Sequence, residues 1–476
     1  MFSYNFKYEL KLLLRSRWIQ LLSIILLLLF GFSTFNGLQK VEKRKKDIRA
    51  AYVEVQENDE KMLKLLDSVE RGMEVSVPRW TIPTSPMAVG NYHPRVAAME
   101  PQPMAFIATG QADLFTHYVK PKVSGNDFAM NFAEMTSPVQ LLFGSFDLAF
   151  VIIYLLPLLI IAFSYDILSA ERESGSLRLL AAQPIKIHTW VLQKLGFRFF
   201  WLTLLVVCSL TFVFLVTGLN PLGQLGVFFS LLLLTLGYML FWFSLAFLVN
   251  LGVGNSARNA VMLLGLWVAF VLLAPSLLNQ MGNTLYPMPS RTLMINEMRN
   301  LKAEVTERQD EILDNFLRDH PEYAINDTTQ FRGFYHRYMA SQRLIKEELS
   351  PIVDAYEAQL KERQDWVDQF KWISPAVIVQ ESLNQMAGTS TQDYENFRKQ
   401  VVRFAVGWRE HFMPFLYNNK NFTQEDYPEL PKFQYETKAY ASFATVPILF
   451  LISVGLFTIG FLFSGKTKKG ELLTSS

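Results

Sequence analysis

The sequence predicts a mainly α fold, a polytopic membrane protein with six transmembrane helices and a largely helical extracytoplasmic domain built from two insertions. Three observations lead there. Apolar runs long enough to cross a bilayer recur along the chain, each about 17 to 25 residues. Two long polar stretches, 38–146 and 281–440, interrupt the series. The basic residues collect at the borders of the apolar runs rather than on one face, and with a net charge of +2 nothing points to nucleic acid.

Residues 1–17 set Phe2, Phe6, Leu10, Leu13 and Leu14 against Lys7, Lys11, Arg15 and Arg17, the spacing of an amphipathic helix lying in the lipid interface. The first span is 18–37. The apolar run is too long for a signal peptide and ends without a small-residue cleavage pattern. Residues 38–146 form the first insertion. From Gln39 to Gly72 it is charged and free of proline and reads as one solvent-exposed helix, whereas the prolines of 77–121 forbid any long helix and leave turns, extended segments and a short strand pair. Span two is 147–164, span three 199–217, span four 227–251 and span five 260–278. The second insertion, 281–440, carries helical signals over Arg291–Asp319 and Phe331–Trp372. Ser350-Pro351 reads there as an N-cap and first-turn proline opening a new helix. Span six is 441–464, and 465–476 is a basic tail.

Charge orients the array. The N-terminal segment, the connector 165–198, Arg258 and the lysines 466, 468 and 469 fall on one side if there are six spans, which makes that side cytoplasmic and places both termini there. The cluster Lys40–Lys46 objects, but long translocated domains are largely indifferent to charge.

Chemistry inside the chain is sparse. The six histidines form no H-E-x-x-H and no pair at ligand spacing, and no G-x-S-x-G is present, so neither a metal centre nor a serine nucleophile is expected. The single cysteine, Cys208, reads as a small buried hydrophobe. Residues 460–467, GFLFSGKT, match the phosphate-loop pattern letter for letter, but a nucleotide site needs a preceding strand and a following helix, and this stretch ends a membrane span. Apart from Asp147 and Asp166 at the borders, the spans hold no ionisable residue of the kind an ion-coupled carrier uses.

The connector 165–198 is the one charged cytoplasmic segment of any length, and it carries a pattern: Glu171, Arg172, Glu173, Gly175, Ser176, Leu177, Arg178 and Leu180, then Pro184 and Lys194. Its first part, Asp166–Leu180, reads as a helix in which Gly175 permits a break. The pattern resembles the intracellular coupling segment of type-2 exporter ABC transporter permeases, with Ser176 where the family usually shows threonine. Trp372, Ser374, Pro375, Ala387-Gly388-Thr389, Trp408, Pro428 and Pro431 are similar to the subgroup with large extracytoplasmic insertions, which includes the permease of the nitrous-oxide-reductase maturation system.

The resemblance implies a permease subunit in the bacterial cytoplasmic (inner) membrane, not itself an enzyme, with its large domain periplasmic. Coupling would run through Asp166, Glu171, Arg172, Glu173, Gly175, Ser176, Leu177 and Leu180. No cofactor belongs to this chain; ATP and Mg2+ would bind in a dimer of separate ATPase subunits, beneath two permease copies, identical or related. Membrane lipid and a periplasmic partner complete the set. Two alternatives stand beside transport: transmission of ATPase motion to the extracytoplasmic domains with no cargo crossing, and a membrane-anchored scaffold or sensor without an ATPase.

The topology has a direct test. Cysteines introduced as Asn58→Cys and Gln342→Cys should react with an impermeant thiol reagent in intact spheroplasts, and Ser174→Cys only after permeabilisation, with Cys208 silent inside a span. Labelling of position 174 together with protection of position 58 would invert the orientation.

Overall fold

Between Arg17 and Glu70 the chain has no proline, and its only glycines are Gly31 and Gly37, so nothing forces a helix to stop where the apolar run gives way to charge. In the computed structural model, which describes residues 9, 11, 13–110, 112, 116–125, 145–177, 187–219, 225–252, 255–287, 291–321, 333–437 and 445–466, this stretch is a single 54-residue helix, α1 (Arg17–Glu70). At 1.5 Å per residue it is about 80 Å long, more than twice what a bilayer core requires. Its first half buries Leu26 and Phe30 in the apolar bundle; its second half buries Ile48, Ala51, Asp59, Met62 and Leu66, a three-and-four spacing that forms one wall of the polar domain. The boundary read at residue 37 is therefore no break in the backbone.

The protein is mainly α-helical, and among the described residues five helices are long and apolar enough to cross a membrane. They are the start of α1, α3 (148–164), α5 (Ile187–Val216), α6 (Leu225–Gly252) and α7 (Ser256–Leu285); α3 and α7 each contain a π-helical stretch, at Val151–Leu155 and Val268–Leu273. The last apolar helix, α13 (Val446–Lys466), has a shorter apolar stretch, Val446–Leu462, and packs along α6. Gly237 of α6 lies against Phe450 and Leu449, and Gly460 of α13 against Phe247, so glycines let the two axes approach closely. Because α6 is surrounded, 78% of its most apolar window is buried inside the protein, against 17% for α7.

Outside the bundle, α2 (Pro86–Tyr92) and the two-residue strands β1 (Ala97–Ala98) and β2 (Tyr118–Val119), paired antiparallel, occupy the proline-rich region. The second polar region supplies α8 (Arg291–Glu307), α9 (Gln309–Asp319), α10 (Phe334–Phe370), α11 (Pro375–Ala387) and α12 (Thr391–Tyr417). The two regions form one core. Trp408 and Phe412 of α12 are fully buried with Met62, Leu66, Met87 and Val89, and Trp408 Nε1 donates to Gly90 O at 3.0 Å. A capping box of Ser390 and Asp393 starts α12, each side chain bonding the other's backbone N–H.

Several sequence expectations are corrected. Pro351 opens no new helix: α10 runs through it unbroken and Ser350 Oγ donates to Asp354 Oδ2 at 2.9 Å, because the helix is held on both sides of the proline, by burial of Met339, Ile345 and Leu349 before it and by the packing of Ile352 and the pairing of Glu357 with Arg398 of α12 after it. The helical signals over Arg291–Asp319 are met by two helices, with Arg308 between them. Cys208 is exposed on the outer face of α5 instead of buried; the apolar run alone could not say which side of the span faces the neighbours. Asp166–Leu180 does not begin as a helix: residues 165–168 form a turn, Ser169–Glu173 (α4) is helical, a second turn at 174–176 breaks it at Gly175, and Leu180 lies outside the described residues.

Two imidazoles in the polar domain are held below the ordinary histidine value. Burial lowers His93, with Asp59 opposing and Arg95 adding to it; burial also lowers His411, against Glu429 and Asp426. A histidine whose folded pKa is depressed binds fewer protons folded than unfolded, so its contribution is complete above the unfolded pKa, about 6.5, and is lost as pH falls through that value. The melting temperature of the full chain, followed by tryptophan fluorescence, should therefore fall from about pH 7.5 to 5.5. The double variant His93→Gln/His411→Gln should show a shallower fall; an unchanged slope would remove these histidines from the account.

Candidate functional site

α3 ends at Ser164, and the chain turns through residues 165–168 into α4 and then through 174–176, where Gly175 takes a φ of 76° that a side-chain-bearing residue adopts only with strain. Such a turn leaves backbone groups without helical partners, and three neighbouring helices supply them. Asn250, fully buried near the end of α6, donates from Nδ2 to Ser164 O at 2.8 Å and accepts Leu168 N at Oδ1 at 3.2 Å. Asn259 of α7 donates to Tyr165 O at 2.9 Å. Arg198 of α5 donates to Phe163 O and lies 3.3 Å from Asp166 Oδ1.

The carboxylates of the motif face inward to the same supports. Glu171 Oε1 pairs with Lys194 Nζ of α5 at 2.8 Å, and its other oxygen accepts Ser176 Oγ, so the hydroxyl after Gly175 folds the turn back on the helix. Lys194 also lies 3.3 Å from buried Glu9 and 4.2 Å from the centre of the Trp190 ring. Glu173 Oε1 accepts the backbone N–H of Ser256 at 2.8 Å, at the first turn of α7, where a negative charge meets unpaired amides and the positive end of the helix dipole. Ser256 Oγ bonds Ser169 Oγ at 2.8 Å, and Asn255 caps the same helix by accepting Ala257 N. Ile167, Leu168, Ser169 and Leu177 are buried; Ala170, Glu173, Ser174 and Gly175 form the exposed tip.

Seven of the eight residues singled out in the sequence thus lie in one compact turn: Asp166, Glu171, Arg172, Glu173, Gly175, Ser176 and Leu177. The supports Asn250, Asn255, Ser256 and Asn259 were missed. Asn250 carried a signal, an amide in an otherwise apolar run, and Asn255-Ser256 an N-cap signature before a span. The arrangement is mechanical. Its polar groups are engaged in holding a rigid tip to α3, α5, α6 and α7, and among the described residues no three His, Cys, Asp or Glu side chains converge as metal ligands. The decoy phosphate-loop stretch is helical from Gly460 to Lys466, so its amides are not arrayed as an anion cradle.

Residues 291–436 match a family described as a domain of unknown function (DUF3526), a match confined to the second polar region and including α8 to α12. No curated protein and no solved structure matches the chain.

The strut has a measurable role. Asn250→Leu keeps the volume but strips partners from Ser164 O and Leu168 N, each buried unsatisfied group costing about 1–3 kcal/mol. In inside-out vesicles, tryptic cleavage after Arg172 should accelerate by roughly thirty-fold or more, the smaller estimate for two such losses in local opening. Wild-type cleavage would show that Asn250 does not hold the turn.

Proposed function

We propose that this chain is the membrane-spanning permease subunit of an ATP-driven ABC transporter of the type-2 exporter class, resident in a bacterial cytoplasmic membrane. On this reading it has six spans, α13 being the sixth, both termini lie in the cytoplasm, and 38–146 with 281–440 form one periplasmic domain. The supporting observation is the turn itself: a motif resembling the permease coupling segment is presented as an exposed tip whose buried side is tied to three neighbouring helices of the bundle, α5, α6 and α7. A contact that transmits force needs this combination, since a loosely attached loop would absorb the displacement.

Each of two ATPase subunits would take one tip into its surface, with two permease copies above. ATP, held with Mg2+ in the ATPases, draws them together when it binds. The tips move with them, and because Glu173 and Ser169 are bonded to Ser256, α3 and α7 are carried as a pair. The cargo would cross along the interface between permease copies.

A second reading shares the energetics but moves no cargo, the displacement being delivered to the periplasmic domain and a partner there. The continuity of α1 from the bundle into that domain favours it. Cargo flux in vesicles separates the two.

Docking is tested at the tip, away from the internal bonds. Ala170 is exposed, so Ala170→Trp should leave the chain inserted while lowering the ATPase recovered with it by about thirty-fold, the effect of a disrupted hot spot worth about 2 kcal/mol. Recovery of the ATPase at the wild-type level would remove the tip as its docking site.

A further inference from the structure

A proline inside a helix has no N–H to give the carbonyl four residues before it. Two apolar helices carry such a residue at matching places: Pro157 in α3 and Pro275 in α7, each two residues beyond the π-helical stretches Val151–Leu155 and Val268–Leu273. π-helical turns mark points where a helix has given up its regular ladder. Among the described residues these two are the π-helical stretches of the protein.

Carbonyls of both stretches are taken up by side chains of other elements. Ile153 O, four residues before Pro157, accepts Tyr238 Oη of α6 at 3.0 Å. Tyr154 O accepts Trp267 Nε1 of α7 at 3.2 Å, so the two bulged helices are joined at this level. Phe270 O accepts Ser374 Oγ at 2.6 Å, and Ser374 is the N-cap of α11. α11 packs against both bulges and against α6, with Ile378, Val379 and Leu383 buried in the bundle core.

The far end of α11 leads into the polar domain through α12. It closes on Gly388, whose φ of 66° allows the reversal, and Thr389 Oγ1 donates to Ala108 O at 2.9 Å in the first polar region. Ser390 then opens α12, which carries the core residues Trp408 and Phe412. α3 and α7 are also the helices bonded to the coupling turn at their other ends.

We infer that α3 and α7 bend as a pair at these two bulges, and that α11, seated on both and tied to the second through Ser374, carries the bend into the polar domain. The bulges are the points of lowest resistance because a π-helical stretch and a proline interrupt the regular ladder in each and side chains of other elements bond carbonyls within them, whereas α6, with no such interruption, stays straight as the post against which they move. That the bend is driven from the coupling turn rests on the transporter reading; the hinge does not.

Hydrogen–deuterium exchange of the full chain in lipid nanodiscs tests the hinge without any ATPase. Amides of 148–164 and 256–285 should exchange faster than those of 225–252. Pro157→Ala restores an N–H for Ile153 O and should slow exchange over 148–164 by roughly three- to ten-fold, the worth of one net hydrogen bond. Tyr238→Phe should have the opposite effect on the same residues. Ser374→Ala should accelerate exchange in both 268–274 and 376–387, with Ser374→Thr, which keeps the hydroxyl, restoring the wild-type pattern. Unchanged exchange over 148–164 in both Pro157→Ala and Tyr238→Phe would overturn the hinge. Acceleration confined to α11 in Ser374→Ala would reduce Ser374 to a helix cap and overturn the link. Absence of a co-purifying ATPase would defeat the transporter reading and leave these exchange results standing.

Discussion

Within a bilayer no water can satisfy a backbone group that a helix releases, so every irregularity in a span requires a polar side chain from a neighbour. That constraint organises the apolar half of this protein. α3 departs from regular geometry twice, at the π-helical stretch before Pro157 and at the turn after Ser164, and both departures are answered from α6, by Tyr238 and by Asn250. Tyr238 and Asn250 of α6 are placed where α3 needs them, and this explains why a largely apolar helix contains a fully buried tyrosine hydroxyl and a fully buried amide. An apolar replacement at either place would leave an orphaned carbonyl or amide in hydrocarbon, a larger loss than that of a bond at a wet surface.

The same constraint separates fixed from movable parts. α6 is enclosed by α3, α5, α7, α11 and α13 and has a regular ladder throughout, while α7 is largely outward-facing and interrupted. Interruption alone would make α7 a weak element. Its two ends are nevertheless held, at Ser256 and Asn259 by the turn-and-helix segment 165–173 and at Gly282 by contact with Trp366 of α10, so its freedom is confined to the middle. A helix pinned at both ends and soft between them can change its bend without losing its neighbours.

Bundle and polar domain meet at a seam built from the first polar region. Asp147 caps α3, accepting Phe150 N at 2.9 Å, and also accepts Thr109 N at 2.8 Å; Ala149 N donates to Ile107 O, and Asn36 of α1 donates to Phe146 O at 2.7 Å. Gly37 lies directly against the carbonyl of Phe106, where a Cβ would collide with it. Phe106, Ile107 and Ala108 are buried with the bundle residues rather than with the polar domain. Together with the unbroken α1, this seam ties the polar domain to α1 and to the start of α3.

What the sequence determined by itself were properties that a residue carries within its own segment. Apolar length located five helices long enough to cross a membrane, proline density ruled out a long helix among the described residues of 77–121, and Gly175 marked the break in the turn after α4 because glycine tolerates a positive φ that other residues resist. The motif residues from Asp166 to Leu177 were legible for the same reason, being contiguous. Tertiary structure decided the rest. Asn250 finds its partners 82 and 86 positions away and Ser374 finds Phe270 104 positions away, distances at which pattern is silent about pairing. Pro351 stays inside a helix because packing on both sides outweighs its local preference, and Cys208 faces outward because hydropathy reports that a span is apolar and not which of its faces the neighbours cover.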